Sequence, residues 1–116
     1  MVNETLRSEA LFTGGVSIDL GSRHYGLRRV RATIPFGRLK VDGHQVEIQV
    51  RRGVFLPLNL PLPVVMSRDS ICVFAKKGPI GVGIGFRTES TVHYFWTYRP
   101  GRVMQVLQEF GYKTCP

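Results

Sequence analysis

Arg23, Arg28, Arg29, Arg31, Arg38 and Lys40 crowd into one short stretch of this chain. A guanidinium fork holds two oxygens of one phosphate or carboxylate at once, so such a cluster has the chemistry of anion binding. Arg51-Arg52 and Lys76-Lys77 extend the positive character further along the chain. Alternation offers a second explanation. Arg29 and Arg31 are two apart, as residues on the solvent face of a strand are.

Other reactive residue types form no constellation. His24, His44 and His93 are far apart and have no ligand-like neighbour at motif spacing. Asp69-Ser70 with a distant histidine does not define a triad, and no paired carboxylates suggest hydrolysis. The glycines at 81, 83 and 85 lack the lysine and the strand-to-helix setting of a phosphate loop. No enzyme, metal or cofactor is expected. The two cysteines, Cys72 and Cys115, form no zinc motif. Cys72 lies in the strand-like SICVFAKK and Cys115 is next to last, so two free thiols in a reducing compartment are expected.

The 116 residues suit a single domain, with 43% hydrophobic and 21% charged residues. Sixteen Lys and Arg against eight Asp and Glu give a net charge of +8. That balance favours polyanionic partners: nucleic acid, anionic lipid or an acidic protein. MVNETLRSEALF has early acids and no apolar secretion core. The longest apolar stretch, Val54–Met66, is broken by Pro57, Pro61 and Pro63 and is too short to span a membrane. A cytoplasmic protein, peripheral to the membrane through its basic residues, is the expectation.

Strands must position these residues. Asn3–Phe12 reads either as a short helix or as a frayed terminus, and Gly14, Gly15 and Gly21 punctuate the next stretch of chain. LRRVRATI reads as a strand that Pro35-Phe36-Gly37 breaks. RLKVDGHQVEIQVRR reads as a hairpin turning at Asp42-Gly43, with Leu39 opposite Val46, Val41 opposite His44 and Arg38 opposite Glu47. Within residues 54–66, Phe55, Leu56, Leu58 and Leu60 are either an adhesive patch for a partner or second copy, or an edge strand filling the core. A second hairpin turns at Glu89-Ser90 and sets Gly85 opposite Tyr94 and Gly83 opposite Trp96. Tyr94, Trp96 and Tyr98 share a face with Val92, and the glycines argue that these rings pack inward. Nucleic-acid binding would want them exposed among cations. Last comes a helix at about 100–110. Val103, Val106, Leu107 and Phe110 form one apolar stripe on it, and Gly111 is its left-handed cap. Its outward Arg102, Gln105, Gln108 and Glu109 do not make a DNA-reading face.

Several antiparallel strands, two tight hairpins and a closing C-terminal helix form the element order of the pleckstrin-homology-like (PH-like) superfamily. IPFGRLKVDG, SRDSIC, GVGIGFRT and YFWTYRPGRVMQVLQEFGY resemble the small bacterial PH-like domains over Tyr25–Tyr112. The resemblance implies a mainly β fold: a bent antiparallel barrel of about seven strands capped by an amphipathic helix, with residues 1–20 an N-terminal extension. Many eukaryotic members bind inositol phosphates through a basic-x-basic motif near the first strand turn. Here Arg29-Val30-Arg31 precedes that turn and Arg38-Leu39-Lys40 comes after it.

The expectation is therefore a non-catalytic binding or assembly module. Arg28, Arg29, Arg31, Arg38 and Lys40 would meet a protein partner or an anionic membrane surface. Nucleic-acid binding is the alternative, and homo-oligomerisation through the Phe55–Leu60 region stays open.

Overall fold

The computed structural model describes residues 8–19, 29–50, 63–78 and 81–116, with the backbone alone at 29–30 and 32–35. The strands are β1 (Glu9–Asp19), β2 (Arg29–Asp42), β3 (Gln45–Val50), β4 (Val64–Ser67), β5 (Cys72–Gly78), β6 (Gly81–Arg87), β7 (Val92–Thr97) and β8 (Lys113–Thr114). The one α-helix among the described residues, α1, spans Pro100–Glu109. The strands form one sheet in the order β4-β3-β2-β1-β7-β6-β5-β8. Neighbours are antiparallel except β5 and β8. Among the described residues the fold is mainly β with one C-terminal helix, as expected, and the eight strands form an open sheet in place of the expected barrel of about seven. A 3₁₀ turn at Arg68–Ser70 carries the chain from β4, at one end of the sheet, to β5 near the other.

One core fills the inner face. Leu39, Val41, Val46, Ile48, Ile84, Phe86 and Phe95 are completely buried, and Val103 and Leu107 of α1 join them. The apolar stripe of the helix is thus spent on packing, which makes the helix a plug for the core.

The N-terminal expectation of helix or fraying is overturned from Glu9 onward, where β1 begins. The signal was present: Ala10, Val16 and Ile18 are buried at even positions while Leu11 points out. The Gly14-Gly15 pair reads as a break but lies inside the strand. A side chain at Gly14 would collide with the Trp96 carbonyl and the Phe95 ring, so glycine permits the close approach of β7.

Pro35-Phe36-Gly37 does not end a strand either. β2 runs through it, and the proline lies where the ladder with β1 slips. Gly14 pairs Gly37 and Val16 pairs Ala32, so 33–36 stand against Gly15 alone. A proline is tolerated in a bulged segment because no ladder hydrogen bond is asked of it there.

The first hairpin is real but its register moves. Leu39 faces Ile48, Val41 faces Val46, and Lys40, not Arg38, faces Glu47. The cause is Asp42, whose carboxylate accepts the backbone N–H groups of His44 at 2.7 Å and Gln45 at 2.8 Å. This side-chain cap shifts the turn to Gly43-His44 and leaves His44 exposed. The slip is by an even number of residues, so the side chains within the two strands keep their expected faces, and only His44 leaves the face it was expected to share with Val41. The second hairpin has the expected register, with Gly83 opposite Trp96 and Gly85 opposite Tyr94.

α1 ends as expected. Gly111 has φ +90°, its N–H donates to the Gln108 carbonyl, and the Tyr112 N–H donates to Leu107, each at 3.0 Å. The free-thiol expectation fails. Cys72 and Cys115 form a disulfide, and β8 runs parallel to β5 with the Cys115 N–H donating to the Val73 carbonyl at 2.8 Å. The closing helix turns the chain back so that Lys113 and Thr114 pair with Cys72 and Val73 at the sheet edge.

A cationic aromatic face as the candidate functional site

Residues directly opposite in a ladder share a face. Reading across the sheet from β2, Arg31 faces Ser17, Ser17 faces Tyr94, Tyr94 faces Gly85, and Gly85 faces Phe74. The next row sets Gly15 against Trp96, Trp96 against Gly83 and Gly83 against Lys76. On the other side, Val92 faces Arg87, Arg87 faces Cys72, and Cys72 faces Lys113. These rows lie on the outer face, because His93, Phe95 and Thr97 of β7 point into the core.

The expectation that Tyr94 and Trp96 pack inward is therefore overturned. Both are half-buried on the solvent side, and Tyr98 beyond them is 75% exposed. Small residues make their bed. A side chain at Gly83 or Gly78 would meet the Trp96 indole, and one at Gly85 would meet the Phe74 ring. Tyr94 stacks beside Trp96 with centroids 5.7 Å apart and meets Phe74 edge-on at 5.9 Å.

Cations surround the rings. The Lys76 ammonium lies 4.9 Å from the Tyr94 centroid and the Arg87 guanidinium 5.2 Å from that of Phe74. Arg31 and Lys113 are exposed at opposite sides of the same face. The acid beside it, Asp19, accepts the Val92 N–H at 3.3 Å. His93 lies beneath on the core side, where its Nδ1 accepts the Asp19 N–H at 3.0 Å and its Nε2 lies 3.2 Å from the Thr91 hydroxyl. The imidazole thus ties the end of β1 to β7.

The residues expected to form one basic site are divided. Arg31 belongs to this face. Arg38 and Lys40 lie beyond the slip in β2, where Lys40 faces Glu47 and its ammonium is 3.6 Å from the Glu9 carboxylate. The charge of Lys40 is thereby locally offset, and Arg38 stands between Thr13 and Gln49. Arg29 pairs with Asp19 along the β1–β2 ladder. Arg28 and the Phe55, Leu56, Leu58, Leu60 patch lie outside the described residues, as do Arg23 and Arg51-Arg52. Phe74, Arg87, Tyr94 and Trp96 were missing from the expected site. The second hairpin's register already set the two larger rings opposite glycines, but whether that face met solvent depended on packing.

Among the described residues no group of three or more histidine, cysteine, aspartate or glutamate side chains could hold a metal ion. No helix of the described residues is long and apolar enough to cross a membrane. Neither a family model, nor a curated protein, nor a solved structure matches this chain.

Proposed function

We propose that this chain is a non-catalytic binding module that holds an anionic partner against the outer face of β5, β6 and β7, with Arg31 of β2 at the margin. The observation that carries the reading is the row from Arg31 through Ser17, Tyr94 and Gly85 to Phe74, flanked by Lys76 and Arg87. Cations around half-buried rings attract an anion and give it a desolvated surface to rest on. The element order supports a PH-like module, with its contact surface on β5, β6 and β7 instead of the first strand turn. The Cys72–Cys115 bond supports an oxidising compartment over the cytoplasm.

The test is retention on immobilised heparin and co-sedimentation with anionic and neutral vesicles across a salt series. Arg31→Ala/Lys76→Ala/Arg87→Ala is expected to weaken binding to the polyanion on the order of tenfold or more. Arg38→Ala/Lys40→Ala should bind like the parent. The reverse pattern, with both variants folded, would move the site to the first hairpin and sink this reading.

A further inference from the structure

Resting on that reading, we propose that the anionic partner is single-stranded nucleic acid, with bases stacked on Trp96 and Tyr94 and phosphates held by Arg31, Lys76 and Arg87. The argument begins with how the rings lie. Glycines at 78 and 83 let the Trp96 indole settle on the backbone of β5 and β6. Trp96 is half-buried, so part of the indole stays at the surface, where a flat ligand can rest on it. Every nucleobase has such a flat face, which makes stacking tolerant of sequence.

The cations fit the same ligand. Lys76 already stands over Tyr94 and Arg87 over Phe74. A base arriving on Tyr94 displaces a flexible ammonium toward the adjoining phosphate, so ring and cation are used by one nucleotide. Duplex DNA fits poorly, since its bases show edges and not faces, and reading those edges takes an element in the groove. The helix is not available for that: its stripe is buried, and exposed Arg102 is matched by exposed Glu109. A lipid surface also fits less well. Interfacial aromatics stand clear of the protein, whereas Trp96 lies on the sheet and Tyr94 is set between it and Phe74.

Trp96 is the only tryptophan, so its fluorescence reports directly on this face. The experiment titrates the full chain with an oligo-dT strand and, separately, with heparin, a polyanion without bases. Oligo-dT is expected to quench the tryptophan and heparin to bind with little quenching. For three phosphate contacts the logarithm of affinity for the strand should fall with that of salt at a slope of about −2. Tyr94→Ala should lose on the order of tenfold in affinity for the strand while heparin affinity is kept. Trp96→Phe, which retains a ring over the glycines, serves as a second variant read by fluorescence anisotropy of labelled oligo-dT, with thermal melting to verify its fold. It should bind the strand more weakly than the parent. Equal binding of oligo-dT and heparin, unchanged in the ring variants, would overturn the proposal and leave the anion reading standing. Heparin or anionic vesicles bound with oligo-dT ignored would do the same. Failure to bind any polyanion would overturn both.

Discussion

The Tyr112 hydroxyl donates a 2.7 Å hydrogen bond to the backbone carbonyl of Asp42, joining the end of the closing helix to the tip of the first hairpin. The two residues are 70 positions apart. Each is fixed by its own local motif, Tyr112 by the left-handed turn at Gly111 and Asp42 by its cap on the turn after β2. Arg68 reinforces the junction: its backbone N–H donates to His44 at 2.9 Å and its guanidinium to the Phe110 carbonyl at 3.3 Å. Helix, hairpin and 3₁₀ turn thus lock at one corner of the sheet.

Removing the hydroxyl should loosen that corner. Tyr112→Phe keeps the buried ring and leaves the Asp42 carbonyl without this donor. A cost of about 1–2 kcal/mol is expected. Urea denaturation of parent and variant measures it, and equal midpoints with equal slopes would show that the bond contributes nothing.

The same tyrosine should make the fold sensitive to alkali. Burial, with the nearby Asp42 carboxylate, pushes its phenol from the ordinary 10.0 up to about 12. The folded state holds this proton more tightly than the unfolded one. Its contribution is therefore intact below about pH 10 and lost as pH rises through about 12, by at most ~2–3 kcal/mol. Tyr112→Phe should show a shallower decline over that window.

In acid the sign reverses at Asp42. The N–H groups of His44 and Gln45 lower its pKa below the ordinary 3.8. The stability it contributes is present above that value and disappears as pH falls through the folded one. Asp42→Asn, followed by thermal melts from neutral to acidic pH, should flatten the acid limb. A variant that melts in parallel with the parent at every pH would count against the cap.

The disulfide should matter more than any single hydrogen bond. It closes a loop between residues 43 apart in sequence. The chain-entropy model assigns about 4 kcal/mol to such a loop. Cys72→Ser/Cys115→Ser, compared with the parent in the absence of reductant, should lose stability of that order. Reductant should lower the parent's melting temperature and leave the double variant where it is.

Two glycine-to-alanine changes should act in opposite directions. At Gly85 the new methyl would strike the Phe74 ring, and a loss of about 1–3 kcal/mol is expected. At Gly101, inside the helix, nothing lies within 4 Å of the added carbon. Alanine there should stabilise by about 0.5–1 kcal/mol. Calorimetry of the pair checks both, and equal shifts would refute the contact argument.

Local patterns were enough for much of this fold. The alternation in β3, the glycines set against aromatics in β6 and β7, and the proline, apolar stripe and glycine of the helix each depend on neighbours a few residues away, so sequence alone determined them. Three outcomes were decided only in three dimensions. Asp42 moved the first turn because its carboxylate reached two backbone donors, a choice no alternation pattern contains. Cys115 met Cys72 because the helix returned the chain to the edge of β5. Tyr94 and Trp96 came to face solvent because the other side of β7, with Phe95 and His93, was the side that the core and helix covered. A strand pattern tells which residues share a face. Which face becomes the interior is settled only when the whole sheet and its helix compete for the same apolar contacts.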